Sequence, residues 1–229
     1  VAMLMAMTRH IPQAHQSMQE GRWDRKSFDG IQVQNRTLGI IGVGRIGSRV
    51  AKRMQGMEMT TIGYDPYITE ERARQVGVEL VDLDTLLAKS DYITIHTPLT
   101  KETEKMINAE TIAKMKDGVR ILNFARGELV ASKDIIDALA SGKAGAYVTD
   151  FPSAEIANEP GVIALPHLGA STEESEDNCA VMAAHELVDF LKLSHLKTVF
   201  IVSHGDVDQH VLGGLQVEVV KKRRLQGIP

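Results

Sequence analysis

The sequence has one cysteine, no long apolar run and no strong excess of charge of either sign. The single cysteine, Cys179, excludes an internal disulfide framework and indicates a reducing compartment, so we expect a cytoplasmic protein. We interpret Cys179 itself as a small residue of a helix rather than as a nucleophile. No apolar run reaches the ~18 residues of a membrane span, and a membrane partner is not expected.

Charge and metal-ligand patterns exclude further classes. The formal net charge of −4 provides no general attraction to nucleic acid, so we expect no nucleic-acid partner. No spacing of histidine, cysteine or acidic residues is typical of a metal site, and no metal is expected. The first residues, VAMLMAMTRHIPQ, lack the basic start and small-residue cleavage site of a signal peptide. They indicate an amphipathic helix instead.

Apolar residues make up 43% of the 229 residues, which is enough for a sizeable core, and one stretch organises it. Thr37–Ala51 reads TLGIIGVGRIGSRVA, an apolar run followed by a helical pattern. Its glycines stand at 42, 44 and 47. In G-x-G-x-x-G the first glycine permits the sharp turn, the second lets a pyrophosphate approach the backbone, and the third lets helix and strand pack closely. The helix N-terminus then faces the phosphates.

An acidic residue strengthens this interpretation. A second apolar run, Thr60–Tyr64, ends at Asp65, roughly 20 positions after Gly42, where a carboxylate binds the ribose 2′-hydroxyl of a dinucleotide. A carboxylate there repels a 2′-phosphate, so NAD is predicted as cofactor rather than NADP. The alternative is a tight strand–helix turn without a ligand.

Strand and helix patterns alternate from residue 37 to 193. We therefore predict an α/β fold with a doubly wound parallel sheet, a Rossmann NAD-binding domain with right-handed crossovers. Ligands of such a sheet bind outside the carboxyl ends of its strands. The polar or glycine residues that follow predicted strands are Gly44, Asp65, Thr97, Arg126, Asp150 and His167.

Two of these residues are suited to chemistry. Arg126 offers a planar fork that binds both oxygens of a carboxylate, although an arginine at this position can also form a surface ion pair. His167 can donate and accept a proton near neutral pH, although a lone histidine is more often structural. His96 also ends a strand, and we expect it to make a local hydrogen bond.

A carboxylate beside His167 would fix the tautomer of its imidazole. The loop that follows the sixth predicted strand offers Asp150, Glu155 and Glu159. Each can also be a solvated loop charge, and the sequence alone leaves the choice among them open.

The chain resembles the D-isomer-specific 2-hydroxyacid dehydrogenases from residue 1 to about 191. The segments that carry the resemblance, in order, are RHIPQAHQSMQEGRWDR, GVGRIG, YDP, HTPLT, NFARGELV and PHLGAST. It implies hydride transfer between NAD and a D-2-hydroxy or 2-oxo acid, in a homodimer that uses the first helix. Arg126 would hold the substrate carboxylate, His167 would be the general acid/base, and Glu155 would pair with it. The residues that would contact the cofactor are Gly42, Gly44, Arg45, Ile46, Gly47, Asp65, Thr97, Pro98, Phe124, Ala125, Arg126, Asp150, His167 and Gly169.

The sequence departs from the family pattern after the sixth strand. The family shows D-V-F-x-x-E-P, with the aspartate near the nicotinamide amide and the glutamate paired to the histidine. Here residues 149–155 read TDFPSAE, so a gap-free alignment places Thr149 and Ala154 at those two positions. A slip of one residue restores Asp150 and Glu155, and we adopt it, with Glu159 in reserve.

The resemblance also leaves parts of the family pattern unmatched. The N-terminal substrate-binding segment, which supplies half of the cleft, does not match any part of this chain. We predict a first helix for dimerisation at 1–20, an NAD-binding domain at 21–193 and a tail of uncertain structure at 194–229. Two alternatives to an enzyme remain: an NAD-sensing binding protein similar to the corepressors that resemble this family, and an NAD-binding fragment without activity.

Overall fold

The computed structural model describes residues 1–192. The chain divides into two compact units, Val1–Gly169 and a second that begins at Ala170. The second unit is described as one helix, α8, which spans Glu173–Lys192. The tail predicted at 194–229 lies outside the described residues, and the division of the chain at residues 20 and 193 stays a prediction.

The first unit contains a sheet of seven parallel strands in the order β3-β2-β1-β4-β5-β6-β7. This order starts at β1 and extends to both sides, so the predicted doubly wound α/β fold is confirmed. The carboxyl ends of β1 and β4 lie side by side at the point where the order reverses. The strands are β1 (Thr37–Ile41), β2 (Thr60–Tyr64), β3 (Glu79–Leu80), β4 (Tyr92–Ile95), β5 (Val119–Asn123), β6 (Ala144–Thr149) and β7 (Val162–Ala164).

Helices connect these strands, and their ends follow the capping residues. Asn108 and Thr111 form a capping box, and the Asp82 carboxylate accepts from the Thr85 amide. Helix α7 begins after Ala131, and no side chain caps it, because Ser132 lies inside its first turn. The helices of this unit are α1 (Ala2–Thr8), α2 (Ile11–Gln19), α3 (Arg45–Gln55), α4 (Glu70–Gln75), α5 (Leu83–Lys89), α6 (Ala109–Ala113) and α7 (Ser132–Ser141). None of the helices described through Lys192 is long and apolar enough to cross a membrane.

The first segment, predicted as one helix over residues 1–20, forms two helices. The break lies at Arg9 and His10, and His10 adopts a left-handed backbone with φ 53°. Pro12 occupies the first turn of α2, where a missing N–H costs nothing because that N–H has no helical partner. A proline therefore marks the start of the second helix, and the break precedes it.

The core lies on both faces of the sheet, because alternate residues of each strand point to opposite sides. Ile93, Ile121 and Tyr147 belong to one buried cluster. Leu122 and Val148, each one residue further along, belong to the other. Strands buried on both faces account for the near-continuous apolar runs in the sequence.

Helix α1 packs on its own domain. Leu4 and Met7 are buried with the sheet residues of the second cluster, and Met3 and Met5 pack against it. The apolar face of α1 is covered from within the chain, because α1 folds back onto the sheet near β6. The homodimer implied by the resemblance stays a prediction.

Gly39 should be required for the packing of α5 on the sheet. A Cβ at this position would lie 2.2 Å from Ser90 Oγ and 2.7 Å from Leu86 Cδ2. Both neighbours are fully buried. We expect Gly39→Ala to lower the free energy of unfolding by about 1–3 kcal/mol through overpacking, measured by urea denaturation. The control Ala88→Ser adds one heavy atom at an exposed position of α5 and should leave that energy unchanged; equal stability of the two variants would contradict this packing.

His96 ends β4 and makes the local hydrogen bond that was expected. Its Nε2 lies 3.0 Å from Thr94 Oγ1. Burial lowers the pKa of His96 from 6.5 to about 4, so the imidazole is neutral in the folded protein near neutral pH.

The low pKa of His96 should make stability depend on pH. Between pH 6.5 and 4 the His96 imidazole binds a proton in the unfolded chain but not in the folded chain. Stability is therefore lost as the pH falls through this window. We expect a loss of up to about 3 kcal/mol from this group. Denaturation curves measured between these pH values give the free energy of unfolding. As the pH falls, this energy should decline less in His96→Asn than in the unaltered chain. His15→Asn, at an exposed histidine, should follow the unaltered chain, and a parallel decline for His96→Asn would refute the assignment.

Candidate active site at the carboxyl edge of the sheet

The glycine turn between β1 and α3 has the geometry that a phosphate site requires. Gly42 has φ +90°, and a Cβ on it would lie 2.7 Å from the His96 carbonyl oxygen. A Cβ on Gly47 would lie 2.0 Å from the Gly42 carbonyl oxygen, so only glycine lets α3 start this close to the turn. A Cβ on Gly44 would meet nothing within 4 Å.

Open space at Gly44 leaves room for a ligand at the start of α3. Gly44 is the N-cap of this helix and has no side chain to cap its first amides. These amides, together with the positive end of the helix, suit a phosphate. Arg45 and Ile46 follow on exposed positions, and Ile46 remains 58% exposed despite being apolar. The turn therefore fits the pyrophosphate of a dinucleotide.

Asp65 is held against this turn by backbone hydrogen bonds. Its Oδ2 accepts from the Val43 amide at 2.9 Å, and its Oδ1 accepts from the Tyr67 amide at 2.9 Å. The carboxylate is thereby oriented at the end of β2, one strand away from the glycine turn, and is only partly buried. From this position the carboxylate can accept hydrogen bonds from the hydroxyls of an adenosine ribose.

A cavity of about 530 Å³ opens between α3 and α4 beside Gly44. Its lining includes Arg45, Arg49 and Arg72, whose charges favour an anionic ligand near the turn. On the other side of the switch point, Thr97 is half-buried and Pro98 is exposed. The Thr103 hydroxyl donates to the Pro98 carbonyl oxygen at 2.8 Å and holds that loop.

Arg126 lies in a loop that a buried asparagine organises. Asn123 is the last residue of β5 and is fully buried. Its Nδ2 donates to the Arg126 carbonyl oxygen at 2.8 Å, and its Oδ1 accepts from the Ala125 amide at 3.2 Å. Tyr147 contacts the same amide nitrogen through its hydroxyl at 3.3 Å, and burial raises the pKa of that phenol. The loop, including Phe124, is therefore shaped from inside the core. Asn123 is not among the residues predicted for the site, and its signal in the sequence is an amide at the end of an otherwise apolar run.

His167 is paired with Asp150. His167 Nδ1 lies 2.8 Å from Asp150 Oδ2; the carboxylate side chain is 7% exposed and the imidazole 50%. Because a carboxylate accepts, Nδ1 carries the proton and Nε2 is left for a substrate. Asp150 directly follows β6 and His167 follows β7, so neighbouring strands bring the pair together.

Phe151 connects this pair to Arg126. The centroid of the Phe151 ring lies 4.5 Å from the centroid of the His167 ring. The Arg126 guanidinium carbon lies 5.4 Å from the Phe151 centroid. A Cβ on Gly127 would lie 2.9 Å from the Phe151 carbonyl oxygen, so the two loops are in close contact. Phe151 is not among the residues predicted for the site, although its ring lies between the side chains of Arg126 and His167.

Glu155 is not the carboxylate that the structure places on His167. It lies on an exposed turn in which the Ile156 amide donates to the Ser153 carbonyl oxygen at 3.1 Å. Ile156 is buried in the core, which turns the adjacent Glu155 towards solvent. Of the three carboxylates that the sequence left open, Asp150 makes the contact, so the expected pairing of Glu155 with the histidine is wrong. Gly169 is exposed, with open space around its Cα.

The chain matches the family described as D-isomer specific 2-hydroxyacid dehydrogenase, NAD binding domain, over residues 1–169. D-3-phosphoglycerate dehydrogenase of Archaeoglobus fulgidus is 43% identical over 199 residues, 84% of this chain and 38% of that protein. The enzyme of the same name from Synechocystis is 45% identical over 197 residues, 83% of this chain and 36% of that protein. The chain thus spans well under half the length of these curated relatives.

Solved structures show the same architecture. The apo structure of D-lactate dehydrogenase from Escherichia coli superposes with a TM-score of 0.75 at 31% identity, over 83% of this chain and 62% of that one. D-lactate dehydrogenase from Aquifex aeolicus, complexed with NAD and lactic acid, superposes with a TM-score of 0.76 at 29% identity, over 88% of this chain and 68% of that one. This chain therefore belongs to the D-isomer-specific 2-hydroxyacid dehydrogenases and carries the NAD-binding domain of that family.

Proposed function

We propose that this chain is the cofactor-binding and proton-transferring half of an NAD-dependent dehydrogenase that oxidises a D-2-hydroxy acid. The observation that carries the proposal is the chain of contacts from Arg126 through Phe151 to His167 and Asp150. It lies at the sheet edge that also holds the glycine turn. A dinucleotide laid across the switch point reaches both places.

The substrate we propose is 3-phosphoglycerate, oxidised to 3-phosphohydroxypyruvate in the cytoplasm. Its support is the degree of similarity: relatives named D-3-phosphoglycerate dehydrogenase are 41–45% identical to this chain. The D-lactate dehydrogenases of similar structure are 28–31% identical. Arg126 suits the carboxylate common to all these substrates. Residues outside this site would therefore bind the phosphate end of 3-phosphoglycerate.

The chain's own residues can perform the proton and binding steps. NAD, when bound, supplies the acceptor or donor of the hydride. The Arg126 fork holds the substrate carboxylate while one of its N–H groups donates to the Ala125 carbonyl oxygen at 2.7 Å. His167 Nε2 takes the hydroxyl proton during oxidation and returns it during reduction. Asp150 accepts from Nδ1–H throughout, which keeps Nε2 directed to this task and stabilises the imidazolium that forms.

Asp65 should decide the preference for the cofactor. We expect Asp65→Ala to weaken NADH binding about tenfold or more, because the hydrogen bonds of a carboxylate to the ribose are lost. NADPH should bind the unaltered chain more weakly than NADH, since its phosphate meets that carboxylate. Fluorescence titration measures both. Asp137→Ala removes an exposed carboxylate on α7 and should change neither value; equal affinity of the unaltered chain for NADH and NADPH would contradict the assignment.

His167 should affect turnover but not cofactor affinity. We expect His167→Gln to lower kcat for NADH-dependent reduction of 3-phosphohydroxypyruvate by about 10²–10⁴-fold, because proton donation is lost. NADH affinity should be retained, and His15→Gln, at an exposed histidine of α2, should behave as the unaltered chain.

Undiminished turnover in His167→Gln would reject the histidine as the acid/base. NADH binding by the unaltered chain, without hydride transfer to any 2-oxo acid, would favour either the NAD-sensing protein or the NAD-binding fragment without activity. Capture of a partner protein that depends on NADH would then distinguish the sensing protein from the fragment.

A further inference from the structure

A second cavity, of about 110 Å³, lies at the amino edge of the sheet, opposite the strand ends that carry Arg126 and His167. We call it the amino-edge cavity. The starts of the three central strands β1, β4 and β5 border it. Because one water molecule takes roughly 30 Å³, the cavity suits a small polyatomic ion and is much too small for a nucleotide. The residues that line it include Arg36, Asp91, Tyr92, Lys116, Asp117 and Arg120.

The two carboxylates of this lining are already compensated by neighbours. Asp91 Oδ2 accepts from the Thr37 amide at 2.8 Å, and Asp91 Oδ1 accepts from Lys116 Nζ at 3.0 Å. Asp117 Oδ1 accepts from Lys143 Nζ at 2.8 Å. These contacts neutralise both acidic side chains and use the lysine of the lining as well. The charge that remains at the cavity is that of its two arginines.

Arg36 and Arg120 keep most of their donors for a ligand. Arg120 Nη1 donates to the Gly118 carbonyl oxygen at 3.2 Å. Within residues 1–190, the other N–H groups of Arg120 and the whole side chain of Arg36 have no acceptor. A guanidinium offers a planar fork of donors that matches the oxygens of a phosphate or a carboxylate.

Tyr92 adds two features to the wall of this cavity. The Arg120 guanidinium carbon lies 5.7 Å from the centroid of its ring, so a cation–π contact holds the guanidinium in place and reduces the entropy lost on binding. Tyr92 is 1% exposed, and its hydroxyl has no hydrogen-bond partner in the described part of the chain. A buried hydroxyl without a partner is unfavourable and indicates a place that a polar ligand completes.

We propose that the amino-edge cavity binds a small oxyanion of the phosphate type, held between the guanidinium groups of Arg36 and Arg120. Two positive charges without a carboxylate partner suit an ion that carries up to two negative charges. The ion would connect the starts of the central strands and stabilise the folded chain by binding to it alone. This inference does not depend on the proposed function, because it uses no residue of the carboxyl edge.

Isothermal titration of the full chain with inorganic phosphate tests the proposal. The chain is first saturated with NADH, which occupies the glycine turn, and chloride keeps the ionic strength constant. We expect Arg36→Gln and Arg120→Gln each to weaken phosphate binding about tenfold, because hydrogen bonds to a charged ligand are lost. Arg53→Gln removes an exposed guanidinium of α3 that lines neither cavity and should bind phosphate as the unaltered chain does.

Thermal melts of each variant verify that it folds. Arg36 is exposed immediately before β1, so Arg36→Gln tests the site even if the loss of the contact with Tyr92 unfolds Arg120→Gln. A parallel titration with glycerol 3-phosphate separates two sources of the ligand. Tighter binding of inorganic phosphate identifies a free ion, and tighter binding of the ester identifies the phosphoryl group of a larger molecule. In either case Arg36→Gln must lower the affinity.

Three results would overturn the inference. The unaltered chain binds no phosphate, or Arg36→Gln and a folded Arg120→Gln bind it as tightly as the unaltered chain does. In the third, saturation with NADH abolishes phosphate binding, which would place the ion at the glycine turn and leave the proposed function standing. If NADH itself does not bind, the proposed function fails, and the two arginine variants still decide whether the amino-edge cavity holds phosphate.

Discussion

The parallel alignment of seven strands is the constraint on which the site depends. Because every strand runs in the same direction, each strand-to-helix connection begins at one edge of the sheet. Residues far apart in the chain, such as Asp65, Arg126 and His167, are collected at that edge without being near one another in sequence. The reversal of strand order between β1 and β4 then separates two neighbouring connections and leaves a crevice for a ligand.

Backbone contacts, more than side-chain contacts, set the shape of this edge. The approach of Gly47 to the Gly42 carbonyl brings α3 onto the turn, and two amides fix the Asp65 carboxylate. At the end of β5 the buried amide of Asn123 shapes the loop that carries Arg126. Groups held in this way need little rearrangement when a ligand arrives, which reduces the entropy lost on binding.

The two sides of the switch point differ in chemistry. The side of Asp65 is polar and partly exposed, with free amides at the start of α3 and arginines around the cavity beside it. The side of Asp150 combines an aromatic ring, a buried carboxylate and a half-exposed imidazole. In the function that we propose, the first arrangement binds the dinucleotide and the second transfers protons. The chain carries both, although it spans only 36–38% of the length of the relatives compared above.

The sequence by itself determined the fold class, the glycine turn, Asp65 and the strand ends that carry Arg126 and His167. These follow from local rules: apolar periodicity, glycine spacing and capping residues act within about ten residues of one another. Only the tertiary structure decided that Asp150 rather than Glu155 meets His167, that Phe151 lies between Arg126 and His167, and that the sheet covers the apolar face of α1. Each of these depends on how neighbouring strands and helices stack, and a shift of one residue in a loop changes which side chain points inward.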